Sequence, residues 1–142
     1  HRASEVGIMF DDLSGERSYE PWERYGQSKL ANVLFARALQ RRFEGSDRVA
    51  SSLHPGVIKT NLGRNNPTDT QAFYEQMNPA NIKSIPQGAA TQCLLAARPA
   101  AADAAGRYYA DCQPSASSDH ATDDALAERL WQVTETLAEG LA

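Results

Sequence analysis

Tyr25-Gly26-Gln27-Ser28-Lys29, followed directly by Leu30-Ala31-Asn32, sets a phenol and an ammonium four residues apart. On a helix that spacing puts both on one face, with Cβ atoms roughly 5–6 Å apart, so that the two heads can converge on one oxygen of a bound molecule. A phenol titrates near 10 in isolation, and a neighbouring cation such as Lys29 brings its ionised form closer to neutral pH; a drop of about two units corresponds to roughly 2.7 kcal/mol. Taken alone the pair decides little. Five Tyr and three Lys in 142 residues give roughly 0.1 such pairs per chain by chance. On these five residues only, the favoured reading is a half-buried helix tyrosine beside a solvated lysine.

The surroundings give the pair its weight. Ser18 is a candidate N-cap, with Tyr19, Glu20 and Pro21 in the first turn, where proline is tolerated because its missing N–H has no intrahelical partner. Leu30, Val33, Leu34, Leu39 and Phe43 sustain an apolar side to about residue 43, and Gly45 is a candidate stop. Upstream, Ile8-Met9-Phe10-Asp11-Asp12 is a short apolar piece ended by acids, with an irregular connection from there to Ser18. Downstream, Val49-Ala50-Ser51-Ser52-Leu53 is a strand candidate that empties into His54-Pro55-Gly56-Val57-Ile58-Lys59-Thr60. In open α/β sheets ligands lie at the carboxyl ends of strands, although from Pro55-Gly56 alone an ordinary strand-ending turn is the favoured reading.

Residues 61–84 are polar and rich in Asn and Pro, with one or two helical turns around Asp69 to Met77, and read as a mobile lid or substrate loop rather than a core element. Ser84-Ile85-Pro86-Gln87 has capping-box form and opens an alanine-rich helix that Pro99 ends. Gly106-Arg107-Tyr108-Tyr109-Ala110 reads as a second strand and Asp111 to Asp119 as a loop. The last helix begins near Thr122, carries Leu126, Leu130, Val133 and Leu137 as one stripe, and stops near Gly140.

Composition narrows the class. With 42% hydrophobic and 23% charged residues the chain suits a single globular domain over 1–142. A formal charge of −4 and a pI near 5.3 give no basic footprint, which argues against nucleic acid as a partner. The longest apolar run, Cys93 to Ala97, is far shorter than the ~20 residues of a bilayer span, so no membrane span is expected. No apolar stretch follows the basic residue near the N-terminus, so no secretory leader is expected. Cys93 and Cys112 lack Cys-x-x-Cys spacing and stand apart from the histidines; two reduced thiols in an intracellular, cytoplasmic protein are expected, and no metal site.

The order of parts resembles the C-terminal half of a short-chain dehydrogenase/reductase. The wording is most similar to the retinol-dehydrogenase-like and WW-domain-oxidoreductase-like branch. It rests on Phe10-Asp11-Asp12-Leu13, Tyr25-Gly26-Gln27-Ser28-Lys29-Leu30-Ala31-Asn32, Leu53-His54-Pro55-Gly56-Val57-Ile58-Lys59-Thr60, Gln87-Gly88-Ala89-Ala90-Thr91, Gly106-Arg107-Tyr108-Tyr109 and Leu126-Ala127-Glu128-Arg129-Leu130-Trp131. The resemblance covers nearly the whole chain. It implies an α/β fold, the C-terminal half of a Rossmann-type doubly wound parallel sheet, with about two strands and three main helices in this chain.

The same resemblance implies NAD(P)-dependent interconversion of an apolar alcohol and its carbonyl compound. Tyr25 would exchange the proton with the substrate oxygen, and Lys29 would lower the Tyr25 pKa and bind the nicotinamide ribose. Pro55, Gly56 and Val57 would lie against the nicotinamide, Thr60 would bond its carboxamide or a nearby phosphate, and His54 would be a packed supporting residue. The family's N-terminal half carries the Thr-Gly-x-x-x-Gly-x-Gly phosphate turn, the residue selecting NAD or NADP, the Asn-Asn-Ala-Gly strand, the asparagine-bearing helix and the carbonyl-polarising serine. None is found in these 142 residues, and Ser4 is the nearest substitute for the serine. Half a doubly wound sheet leaves bare strand edges, so the chain by itself is expected to be inactive, and weakly stable or dependent on a partner. A homodimer is compatible with the resemblance, and the alternative reading is a non-catalytic truncated module that pairs with another chain.

Overall fold

A computed structural model describes residues 7–61, 67–97 and 101–139. Helix α1, Pro21–Arg42, is the backbone of the arrangement. Its N-cap is Glu20, whose carboxylate accepts the Glu23 amide at 2.9 Å, with Pro21 in the first position, where its fixed φ suits helix entry. The start falls later than Ser18 because Ser18 is already engaged. Its amide donates to Asp12 Oδ2 at 3.1 Å and its carbonyl accepts from the Arg24 guanidinium. At the other end Phe43 is the C-cap, and Gly45 takes the positive φ of +79° that lets the chain turn away.

Four-residue spacing along α1 lines up Leu30, Leu34 and Ala38, all buried, against Ala121, Ala127 and Leu130. Ala121 belongs to the short helix α4, Asp119–Thr122, and the other two to α5, Asp124–Glu139. Small residues at Ala38, Ala121 and Ala127 let the backbones approach closely. The stripe expected on α5 is only partly buried. Leu130 is in the core and Leu126 packs against it, but Leu137 is 60% exposed. Glu128 and Trp131 already meet Arg42, the final residue of α1, so Leu137 lies past the end of its partner.

Strands β1, Ser52–His54, and β4, Tyr108–Ala110, pair in parallel with Leu53 opposite Tyr109. Both fall within or next to the expected segments but start later. Ahead of β1 the backbone is bound differently: the Ala50 amide goes to Gln40 Oε1 at 2.8 Å, and the Ala50 carbonyl accepts from the Gly106 amide at 2.9 Å. Three further strands escaped the sequence reading. Val57–Ile58 (β2) pairs in parallel with Ile82–Lys83 (β3), and Gln113–Pro114 (β5) runs antiparallel to β4. The described residues thus hold five short strands in two sheets where about two were expected, and the chain is α/β with a parallel pair at its centre, consistent with part of a Rossmann-like fold.

Within residues 61–84, helix α2 spans Pro67–Gln76, longer than the turn or two expected. Helix α3, Ile85–Ala97, follows the expected capping box: the Ser84 amide donates to Gln87 Oε1 at 2.8 Å and the Gln87 amide to Ser84 Oγ at 3.4 Å. Gly88 on α3 is required by the close approach of Ile58, whose Cγ1 would stand 2.6 Å from an added Cβ. The loop expected over Asp111–Asp119 begins instead as a two-residue hairpin turn, in which Asp111 (φ +52°) and Cys112 (φ +62°) both adopt the left-handed conformation. Ser4, Pro99 and Gly140 lie outside the described residues.

Candidate active site

The N-terminal turns of α1 are fixed before Tyr25 is reached. Arg24, 9% exposed, binds the carbonyls of Asp12 and Ser18, and its Nη2 lies 2.5 Å from Asp12 Oδ2. Burial pushes the Asp12 carboxyl up, but the amides of Arg17 and Ser18 and the Arg24 guanidinium outweigh it and hold the group below its ordinary value. Gln27, also buried, accepts the Met9 amide at 2.7 Å. These two polar knots clamp residues 9–18 onto α1 on either side of Tyr25. Such buried polar groups are costly to leave unpaired, so the loop has little freedom to move away.

Tyr25 itself is 38% exposed, and Lys29 is exposed one turn along, its Nζ 5.2 Å from the centre of the Tyr25 ring. The expected pairing of a phenol and an ammonium on one helix face is therefore present, with the cation over the ring. Ser28 Oγ donates to the Tyr25 carbonyl at 2.7 Å and so faces the helix backbone.

The second group of expected residues follows the carboxyl end of β1. Pro55, Gly56 and Val57 are half-buried and Thr60 is exposed. Gly56 has a φ of +91°, which only glycine adopts at little cost, and Val57 enters the β2–β3 pair. His54, at the end of β1, is held below the ordinary imidazole value, first by burial and then by the Lys83 ammonium, with Asp111 opposing.

The two groups are connected by aromatic side chains that sequence reasoning passed over. Trp22 meets the Tyr25 ring edge-on at 6.1 Å and Phe73 of α2 at 6.2 Å. Phe73 meets its neighbour Tyr74 at 5.6 Å, and the Tyr74 hydroxyl donates to the Ile58 carbonyl at 2.9 Å. A continuous path thus runs from Tyr25 through Trp22, Phe73 and Tyr74 to the Pro55–Thr60 segment. Trp22 is 64% and Phe73 40% exposed, so an aromatic surface stands open beside the phenol. The available signal was Trp22 three residues before Tyr25, one helical turn away. Two surface cavities of about 370 and 450 Å³ lie elsewhere, around Arg107 and Ser115 and around Phe10 and Arg129. Neither is lined by Tyr25, Lys29 or the Pro55–Thr60 segment, and shape alone does not outweigh the chemistry of these residues. Among the described residues no group of His, Cys, Asp and Glu could hold a metal ion, and no helix is long and apolar enough to cross a membrane.

No family model matches the chain. Curated proteins do. Short-chain dehydrogenase TIC 32 A, chloroplastic, of Brassica napus is 42% identical over 137 residues, covering 95% of this chain and 42% of that protein. Retinol dehydrogenase 14 of Homo sapiens is 39% identical over 132 residues, 92% of this chain and 39% of its own length. A probable oxidoreductase of Streptomyces lividans is 38% identical over 149 aligned positions, 92% of this chain and 50% of that protein. Identity of 34–42% over about nine tenths of this chain supports a place in the short-chain dehydrogenase/reductase family. Within it the sequence is retinol-dehydrogenase-like and corresponds to the C-terminal region; it spans about two fifths to one half of the length of these relatives.

Proposed function

We propose that this chain carries the proton-handling and nicotinamide-side part of an NAD(P)-dependent oxidoreductase that interconverts an apolar alcohol and its carbonyl compound. The observation that carries the reading is the Tyr25–Lys29 pair on one turn of α1, tied through Trp22, Phe73 and Tyr74 to the Pro55–Thr60 segment. The aromatic surface of Trp22 and Phe73 supports an apolar substrate, since flat apolar groups gain most by covering such rings. The residues present fit the nicotinamide end of a dinucleotide: a hydroxyl, an ammonium and a glycine turn at the carboxyl end of a parallel strand. That cofactor, when bound, supplies or accepts the hydride.

The chain's own residues do the rest. Tyr25 gives its hydroxyl proton to the substrate oxygen in reduction and takes it back in oxidation. The Lys29 ammonium stabilises the phenolate left behind and offers donors to the cofactor ribose. Pro55, Gly56 and Val57 form the surface under the nicotinamide, and Thr60 supplies a hydroxyl to its carboxamide or phosphate side. Helix α2 covers the substrate side. The phosphate turn and the residue choosing NAD or NADP belong to a segment other than these 142 residues, and the serine partner of Tyr25 does too. An intracellular, cytoplasmic setting belongs to the same proposal and is supported by two free, exposed cysteines.

The test is Tyr25→Phe in the whole protein, with NADPH or NADH and an apolar aldehyde. The expected outcome is a fall in kcat of about 10²–10⁴-fold with dinucleotide binding retained. Unchanged reduction would remove Tyr25 from the chemistry. A second reading, a non-catalytic module that pairs with another chain, is supported by β1, which has β4 as its one strand neighbour among the described residues. A cooperative melt of the 142-residue chain that NADPH raises would set that reading aside. A homodimer built on α1 is supported by Phe35, 52% exposed on that helix, and sedimentation of Phe35→Glu against the parent tests it.

A further inference from the structure

The β2–β3 pair places Lys83 opposite Ile58, and from there its side chain runs back beneath Gly56. A Cβ on Gly56 would stand 2.6 Å from Lys83 Cδ, 2.7 Å from Cε and 2.8 Å from Nζ. The φ of +91° calls for glycine at 56, and the flexible Lys83 stem lies in the space left by its missing Cβ. The Lys83 head donates to the Pro55 carbonyl at 3.3 Å and forms an ion pair with the Asp111 carboxylate. Asp111 sits in the left-handed turn between β4 and β5. That turn is fastened from its other side, where the Cys112 amide donates to Thr91 Oγ1 at 3.1 Å and Thr91 is 1% exposed on α3.

We propose that Lys83 is a positioning residue for the nicotinamide-side segment, joining the Pro55 carbonyl to the β4–β5 turn through Asp111 and supporting Gly56 from below. The inference rests on the oxidoreductase reading for the role of Pro55–Thr60, and on the contacts above for the clamp itself. An ion pair whose carboxylate is largely exposed adds little to global stability. What it does is choose one orientation for a peptide that a glycine with positive φ would otherwise leave free to turn. The neighbouring His54 fits the same picture: burial first, and then the Lys83 charge beside it, favour the neutral imidazole, with Asp111 opposing. Asp111 is in turn held below its ordinary carboxyl value, chiefly by the hydrogen bond from Lys83.

The test compares Lys83→Met, which keeps most of the stem and removes the head, with Asp111→Asn and with the conservative Lys83→Arg, all in the whole protein. Three quantities are read: KM for NADPH or NADH against kcat, the melting temperature, and hydrogen exchange of the amides from Gly56 to Thr60. Lys83→Met is expected to raise the cofactor KM about tenfold, the scale of one charged hydrogen bond, with kcat changed about twofold at most. Exchange over Gly56–Thr60 quickens while the melting temperature stays within about 2 °C. Asp111→Asn moves the same way by less, and Lys83→Arg restores most of the loss. An unchanged KM, or a KM change that accompanies a general loss of stability, overturns the positioning role. If the parent binds no dinucleotide, the oxidoreductase reading fails by itself; exchange at Gly56–Thr60 then decides the clamp, and an unaltered rate in Lys83→Met overturns it.

Discussion

The α1–α5 pair and the Pro55–Lys83 region are built on opposite principles. The helices bury Leu30, Leu34, Ala38, Ala127 and Leu130 against one another and close the outside with Arg37–Asp124, Arg42–Glu128 and the Arg42 guanidinium 3.9 Å from the centre of the Trp131 ring. The other region has two-residue strands and half-buried side chains, held by single polar links: Tyr74 to Ile58, Lys83 to Pro55 and Asp111, Ser84 with Gln87. Apolar burial is additive and indifferent to small rotations, which makes it suited to holding a scaffold. Single hydrogen bonds contribute little net stability but fix direction, which suits the ligand-facing role proposed for this segment. Substitutions in the two regions should therefore separate stability from binding.

The strongest challenge to that division is Leu34→Ala. Leu34 is fully buried, so its loss should destabilise the whole protein by about 2–5 kcal/mol in urea unfolding, while kcat and KM of the remaining folded fraction stay near the parent values. Arg24→Met comes next, because it takes this donor from the Asp12 and Ser18 carbonyls and leaves the Asp12 carboxylate with the Arg17 and Ser18 amides alone. A melting temperature lower by roughly 5 °C or more is expected, together with a loss of kcat because Tyr25 is the next residue. If kcat survived, the loop over residues 9–18 would not be what positions the phenol.

Smaller effects are expected on the ligand side. Phe73→Ala should raise KM for an apolar substrate about five- to tenfold with little change in melting temperature, the loss of one partly covered aromatic face. Equal KM values for Phe73→Ala and the parent would dissociate α2 from substrate binding. The smallest effect is one of pH. His54 has its pKa depressed in the fold, so its contribution is full above the ordinary 6.5 and declines as pH falls through the lower folded value. Glu128, lowered by the hydrogen bond from Arg42, contributes fully above its ordinary 4.5 and loses that only as pH falls further. The ligand side should thus loosen at a higher pH than the helical pair. Fluorotryptophan resonances of Trp22, which is on α1 but packs on Phe73 of the ligand side, and of Trp131 on α5 should shift in that order, and a simultaneous shift would contradict the division.

The same division explains what could be read in advance. The stripe through Leu30 and Leu34, the capping box at Ser84 and Gln87, and the two central strands were legible because each is encoded by neighbours within one or two turns. The Tyr25–Lys29 pair was legible for the same reason, and its meaning came from the order of the motifs around it. The β2–β3 and β4–β5 pairs were not, since two residues carry no periodicity and their partners lie far off in sequence, as Ile58 and Lys83 show. Ser18 was mistaken for a cap because nothing local reveals that Asp12 and Arg24 hold it.

By itself the sequence determined the family resemblance, the α/β class and the helix that bears Tyr25 and Lys29, because side-chain type, short spacing and the order of motifs suffice for these. Only the tertiary structure decided that Trp22, Phe73 and Tyr74 bridge the phenol to the Pro55–Thr60 segment, and that Lys83 lies under Gly56 and reaches Asp111. Apart from the neighbouring pairs Trp22–Tyr25 and Phe73–Tyr74, these contacts join residues from 16 to 51 positions apart. They form where packing leaves a polar or aromatic group one accessible partner, and that choice is made by the folded surroundings.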